Sequence, residues 1–181
     1  MKKLLFSLLA ATVFFAACSK DDEKTPDPTP VNGLTYNGEF LATPYSNIVH
    51  EDLLGRQINF TNINFFGKDS NYTGNATIFG ISFDTTEIIY NSTYTYKSNN
   101  SEDFNKAKNF SYIYGYYQQP MVNGELTEEA EDHRLNTIDS GFITINKNEK
   151  TFDIVYALYF KDNITVKGQF KDTVYIAPPS M

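Results

Sequence analysis

The chain has 181 residues, 15 basic against 22 acidic, and 41% apolar side chains. That is one globular domain with short additions, large enough to bury about 70% of its unfolded surface without disulfides or metals. An acidic chain without a basic patch excludes nucleic acid as a partner, since phosphate neutralisation needs clustered Lys and Arg. The single cysteine, Cys18, excludes an intrachain disulfide.

Met1-Lys2-Lys3 is a positively charged start, followed by 14 uncharged, mainly apolar residues at 4–17. A bilayer-spanning helix takes about 20 such residues, so this run has the length of a secretory signal core. Ala16 and Ala17 then precede Cys18. The arrangement resembles bacterial lipoprotein signal peptides, with Phe15 where Leu is usual. The resemblance implies removal of residues 1–17, a diacylglyceryl group on the Cys18 thiol and acylation of the new amino group. Two or more acyl chains hold a protein stably at a membrane, where one binds only marginally.

Ser19-Lys20-Asp21-Asp22-Glu23 follows at once. It resembles the export signal of Bacteroidota lipoproteins, which implies a location on the outer membrane facing the cell exterior. Loss of residues 1–17 leaves 13 basic against 22 acidic residues, a net charge of −9. Pro26, Pro28 and Pro30 alternate along residues 24–30 and favour an extended, semi-rigid stalk. Residues 18–32 are thus a lipidated, acidic and proline-rich tether. Residues 33–181 are the folded domain.

Within that domain, Asn37-Gly38 between apolar triplets predicts a tight hairpin. The apolar positions Ile58, Phe60, Ile63 and Phe65 contain one step of three, which predicts a bulge near Thr61-Asn62. Thr77, Phe79, Ile81 and Phe83 share one strand face. Phe110, Tyr112, Tyr114 and Tyr116 alternate in the same way, a pattern that ordinarily builds a core. Thr127 is placed to cap one or two helical turns over 128–131. Residues 142–145, 152–160 and 164–170, joined by hairpin-length gaps, predict a three-strand antiparallel meander, with a short closing strand at 173–176.

Strands at this spacing without helices between them define an all-β domain. The expected fold is a single antiparallel β-sandwich or flattened lipocalin-like barrel of about 8–10 strands. The stretches 140–145, 152–160 and 166–170, with Asn91-Ser92-Thr93-Tyr94-Thr95, resemble a pattern of small Bacteroidota surface lipoproteins with barrel-like or sandwich β folds. The resemblance implies fold and compartment, and no activity.

Catalytic chemistry finds little purchase. His50 and His133 have acidic sequence neighbours but no metal-ligand spacing, and both read as solvated loop residues. Gly80-Ile81-Ser82-Phe83-Asp84 lacks the final glycine of a nucleophile elbow. No catalytic residue, cofactor or metal is expected; two carboxylates facing across a groove would be the minimal alternative. Tyrosine offers the better argument, because its ring stacks on apolar faces while its hydroxyl hydrogen-bonds. Tyr112, Tyr114, Tyr116, Tyr117 and Gln118 are the candidate binding residues, with Tyr117 out of phase and expected to be exposed. Asp84-Thr85-Thr86 and Asp172-Thr173-Val174 resemble acceptors for Bacteroidota O-glycosylation, which marks Thr85 and Thr173. The functional expectation is a non-catalytic binding module for a glycan or a cell-envelope protein; the alternatives are a barrel carrier of a small apolar ligand, a carboxylate-pair hydrolase and a component of a surface assembly.

Overall fold

Asn37 and Gly38 both adopt positive φ, 46° and 92°, the geometry that matches a two-residue turn to the twist of its flanking strands. They join β1 (Gly33–Tyr36) to β2 (Glu39–Ala42) as the sequence predicts. In this computed structural model, residues 32–51, 55–64, 71–127, 137–161 and 163–178 are described. Cys18, the Ser19 to Glu23 segment, the tether before Asn32, the helical turns after Thr127, and His133 lie outside the described residues.

The chain continues through β3 (Tyr45–Glu51), β4 (Gly55–Thr61), β5 (Gly74–Phe83), β6 (Ser92–Tyr96), β7 (Asn109–Phe110), β8 (Tyr112–Val122) and β9 (Glu125–Leu126). It ends with β10 (Ile138–Asn148), β11 (Thr151–Phe160), β12 (Thr165–Thr173) and β13 (Tyr175–Ile176). These thirteen elements, three of them only two residues long, form a seven-stranded sheet in the order β2-β1-β12-β11-β10-β6-β7 and a six-stranded sheet in the order β13-β3-β4-β5-β8-β9. The fold is a two-sheet sandwich that does not close into a barrel. The meander β10–β11–β12 is present and its antiparallel pairing is nearly unbroken.

Two pairs, β6 with β7 and β13 with β3, are parallel, so the sheets are mixed where pure antiparallel pairing was expected. Both arise at corners. At Ser111 and at Val174 a single residue carries the chain from the seven-stranded sheet into the six-stranded one. The expected closing strand at 173–176 is therefore split: Thr173 ends β12, and β13 belongs to the opposite sheet.

The predicted bulge is displaced. β4 ends at Thr61, and Asn62 closes the next turn by accepting from Thr77 N (2.9 Å) and donating to the Asn75 carbonyl (3.0 Å). The extra residue sits in β8, where pairing steps from Ala76–Gln119 to Ile78–Tyr116, so Tyr117 and Gln118 together face Thr77. Gln118 takes φ of 45°, and the strand's side chains change phase there.

Between the sheets the interior is filled by aromatic rings. Tyr156 of β11 lies 4.8 Å from Phe60 and stacks at 5.7 Å on Phe79, both on the opposite sheet. Phe83 meets Tyr94 edge-on at 4.9 Å. Tyr156 fits because its neighbour across the ladder is Gly168: a Cβ there would stand 2.1 Å from the ring's Cζ. The Tyr156 hydroxyl is buried without a hydrogen-bond partner among the described residues, and burial pushes its ionisation well above that of an ordinary phenol.

Two substitutions should therefore separate in denaturant unfolding. Gly168→Ala should lose about 1–3 kcal/mol by overpacking. Tyr156→Phe, which keeps the ring and removes an unsatisfied donor, should be neutral or more stable by up to about 1 kcal/mol.

Candidate functional site

The five residues singled out from the sequence divide into two groups. Tyr112, Tyr114 and Tyr116 project from the outer face of the six-stranded sheet, while Ile113 and Gly115 face inward and are buried. This reverses the expectation of a core-facing run. Phe110, in phase with them along the chain, is buried in the core. The crossover at Ser111 moves the chain to the other sheet, whose interior lies on the opposite side.

Tyr112 is 41% exposed. Tyr114 lies across the strand surface at Gly80, where a Cβ would come within 2.1 Å of its ring. Its hydroxyl donates to Asn59 Oδ1 at 2.8 Å, and Asn59 Nδ2 donates to Asn47 Oδ1 at 2.8 Å. Asn47, Asn59, Gly80 and Tyr114 are successive partners across four strands. The row is thus a polar ladder running across the sheet. Tyr116 meets Tyr114 edge-on at 6.3 Å, and Gln57 Nε2 donates to Ser82 Oγ at 3.1 Å in the adjacent row. Ser82, the serine of the incomplete elbow, is fully buried by this packing.

Tyr117 and Gln118 take a different role because the bulge turns them towards the β1–β2 hairpin. The Tyr117 ring stacks on Tyr36 at 4.1 Å, its hydroxyl donates to Glu39 Oε2, and Gln118 Nε2 donates to Glu39 Oε1 at 3.3 Å. The expected freely exposed Tyr117 is instead half-buried and clasps the two sheets together. Donation to the carboxylate favours the neutral phenol, so the hydrogen bond to Glu39, with smaller contributions from desolvation and the Glu39 charge, pushes Tyr117 up to about 12.

His50 sits on β3 opposite Arg56, so the expected loop placement is corrected. Thr85 lies in the turn after β5, its Oγ1 donating to the Glu87 carbonyl at 3.1 Å. Thr173 is exposed at the end of β12. Among the described residues no group of three His, Cys, Asp or Glu is placed to hold a metal ion.

Sequence reasoning missed a surface on the seven-stranded sheet. A groove of about 520 Å³ on its outer face is lined by Phe40, Phe142, Val155, Ala157 and Tyr159, with Lys167 as its one charged residue among those described. Phe40, Thr35, Lys167, Ala157 and Phe142 are successive partners across β2, β1, β12, β11 and β10. Gly33 admits the Phe40 ring, since a Cβ would lie 2.4 Å from its tip. The signal was present in residues 154–160: a nearly continuous apolar run in an antiparallel meander leaves apolar side chains on both faces.

Comparisons with family models, curated proteins and solved structures return no match to the chain.

The clasp supplies a pH test. A folded-state pKa raised above about 10, the unfolded value, stabilises the fold fully below pH 10, and that contribution is lost as pH rises towards 12. Glu39→Gln should return one phenolate transition towards pH 10 in a difference absorbance titration and remove the associated loss of stability between pH 10 and 12. An unchanged titration would mean that the clasp does not hold in solution.

Proposed function

We propose that this chain is a lipid-anchored module on the outer face of the outer membrane that binds an envelope protein without transforming it. The observation that carries the reading is the apolar groove on the seven-stranded sheet. Phe40 is 53% exposed, and Phe142, Val155 and Tyr159 are exposed beside it. Contiguous apolar surface rimmed by polar residues characterises interaction sites, because covering it removes that surface from water.

Charge narrows the partner. Without residues 1–17 the chain carries a net −9, yet the groove presents an ammonium from Lys167 and no carboxylate among its described lining residues. It suits a partner segment with apolar side chains beside an acidic group. The Cys18 anchor would raise the local concentration of such a membrane partner. The open sandwich, with aromatic rings packed between its sheets, gives no support to the carrier alternative.

Cys18→Ser should shift the protein from the detergent phase to the aqueous phase on detergent partition. A photoreactive residue at position 159 should form one discrete protein adduct on intact cells. Phe142→Ser with Val155→Asp should abolish that adduct while stability changes by no more than about 1 kcal/mol, as for surface sites. An undiminished adduct, or none with the unsubstituted groove, would count against the reading.

A further inference from the structure

A second cleft, of about 550 Å³, opens at the corner where the chain leaves β12 for β13 and passes from β2 to β3 through Thr43-Pro44. It lies at the β13–β3 edge of the six-stranded sheet, and its described lining residues are distinct from those of the groove. Tyr45 and Tyr175, 41% and 48% exposed, stand at its walls. Tyr175 pairs in register with Asn47, and Tyr45 is two residues before Asn47 on the same strand face.

The polar groups are held in place. Asn47 is buried, and its amide is oriented by the bond from Asn59. Asp172 Oδ1 accepts from the Thr173 backbone N at 2.6 Å and from Thr173 Oγ1 at 3.4 Å, which orients the carboxylate at the rim. Asn64 adds a second amide. Ser46 also lines the cleft, but it pairs with Phe60, so its side chain lies on the core side of β3.

These groups specify a chemistry. Phenol rings offer flat apolar faces with a polar tip, which suit the C–H faces of a pyranose ring. Amides and carboxylates present two hydrogen-bonding atoms in one plane, a match for neighbouring hydroxyls. The only charged lining residue among those described is Asp172, which disfavours any anionic ligand. The volume falls within the range of small-molecule sites. We infer that the corner cleft between Tyr45 and Tyr175 is a binding subsite for a neutral oligosaccharide, hydrogen-bonded through Asp172 and Asn47. This subsite is independent of the protein-binding groove and adds a second ligand class.

Calorimetric titration of the full lipidated protein in detergent tests it. The probes are cellohexaose, xylohexaose, mannohexaose and maltohexaose, with an oligogalacturonate as the anionic control. At least one neutral probe should bind and the oligogalacturonate should not. Tyr175→Ala should weaken that binding about tenfold, the scale of a lost aromatic contact. Asp172→Asn, which keeps shape and removes charge, should weaken it about tenfold or more on the scale of a charged hydrogen bond. Tyr175→Phe should retain most of the binding and guards against a folding defect in the alanine variant. Phe142→Ser should leave it unchanged. Failure of every neutral probe, equal binding of the oligogalacturonate, or indifference to Tyr175→Ala and Asp172→Asn would overturn the inference. Loss on Phe142→Ser would move the sugar to the groove and overturn it equally, whereas the adduct at position 159 reports on the protein-binding reading alone.

Discussion

The sandwich is organised around one ring. Tyr156 reaches from β11 to the opposite sheet, between Phe60 and Phe79, and can do so only because Gly168 beside it has no side chain. The spacing of the sheets is set by what this ring and its neighbours fill, since protein interiors pack as densely as organic crystals. The Tyr156 hydroxyl at the centre of that packing has no hydrogen-bond partner among the described residues, so the ring is held there by its shape.

The outside is shaped by corners. Single residues at Ser111 and Val174 carry the chain between sheets, and each flanks a two-residue strand paired in parallel. The first corner turns Tyr112, Tyr114 and Tyr116 outward. The second separates Thr173 from Tyr175 and opens the cleft between them. Loops and edges commonly carry function on a rigid scaffold, and here the scaffold's own strand ends supply the walls.

The two outer faces have different chemistry. The seven-stranded sheet presents rings and aliphatic groups with one ammonium, whereas the six-stranded sheet presents tyrosines over a ladder of amides. The first surface gains from excluding water, and the second holds its polar atoms in fixed directions. A protein segment is the ligand proposed for the first surface, and a sugar the ligand proposed for the cleft at the edge of the second. The Tyr117–Glu39 clasp joins the β1–β2 hairpin to β8, so it ties an edge of one sheet to the other.

Much of the fold was legible in local patterns. Asn37-Gly38 specified its turn, the inward set Thr77 to Phe83 was in the right phase, and the β10–β12 meander followed from alternation and short gaps. The bulge was misplaced because a strand end at Thr61 and a bulge give the same step of three. The β8 tyrosines were misread because alternation fixes which side chains share a face and leaves open which face meets the core. Phe40 and Val155, 115 positions apart in the chain, carry no local sign of a shared groove.

The sequence by itself thus determined an all-β domain, its principal turns and its meander, because those depend on residues within a few positions of one another. Only the tertiary structure decided which faces are buried, where the sheets exchange the chain, and which distant side chains line the groove and the cleft. Those outcomes depend on the registry of two sheets packed around Tyr156, an arrangement that no local pattern encodes.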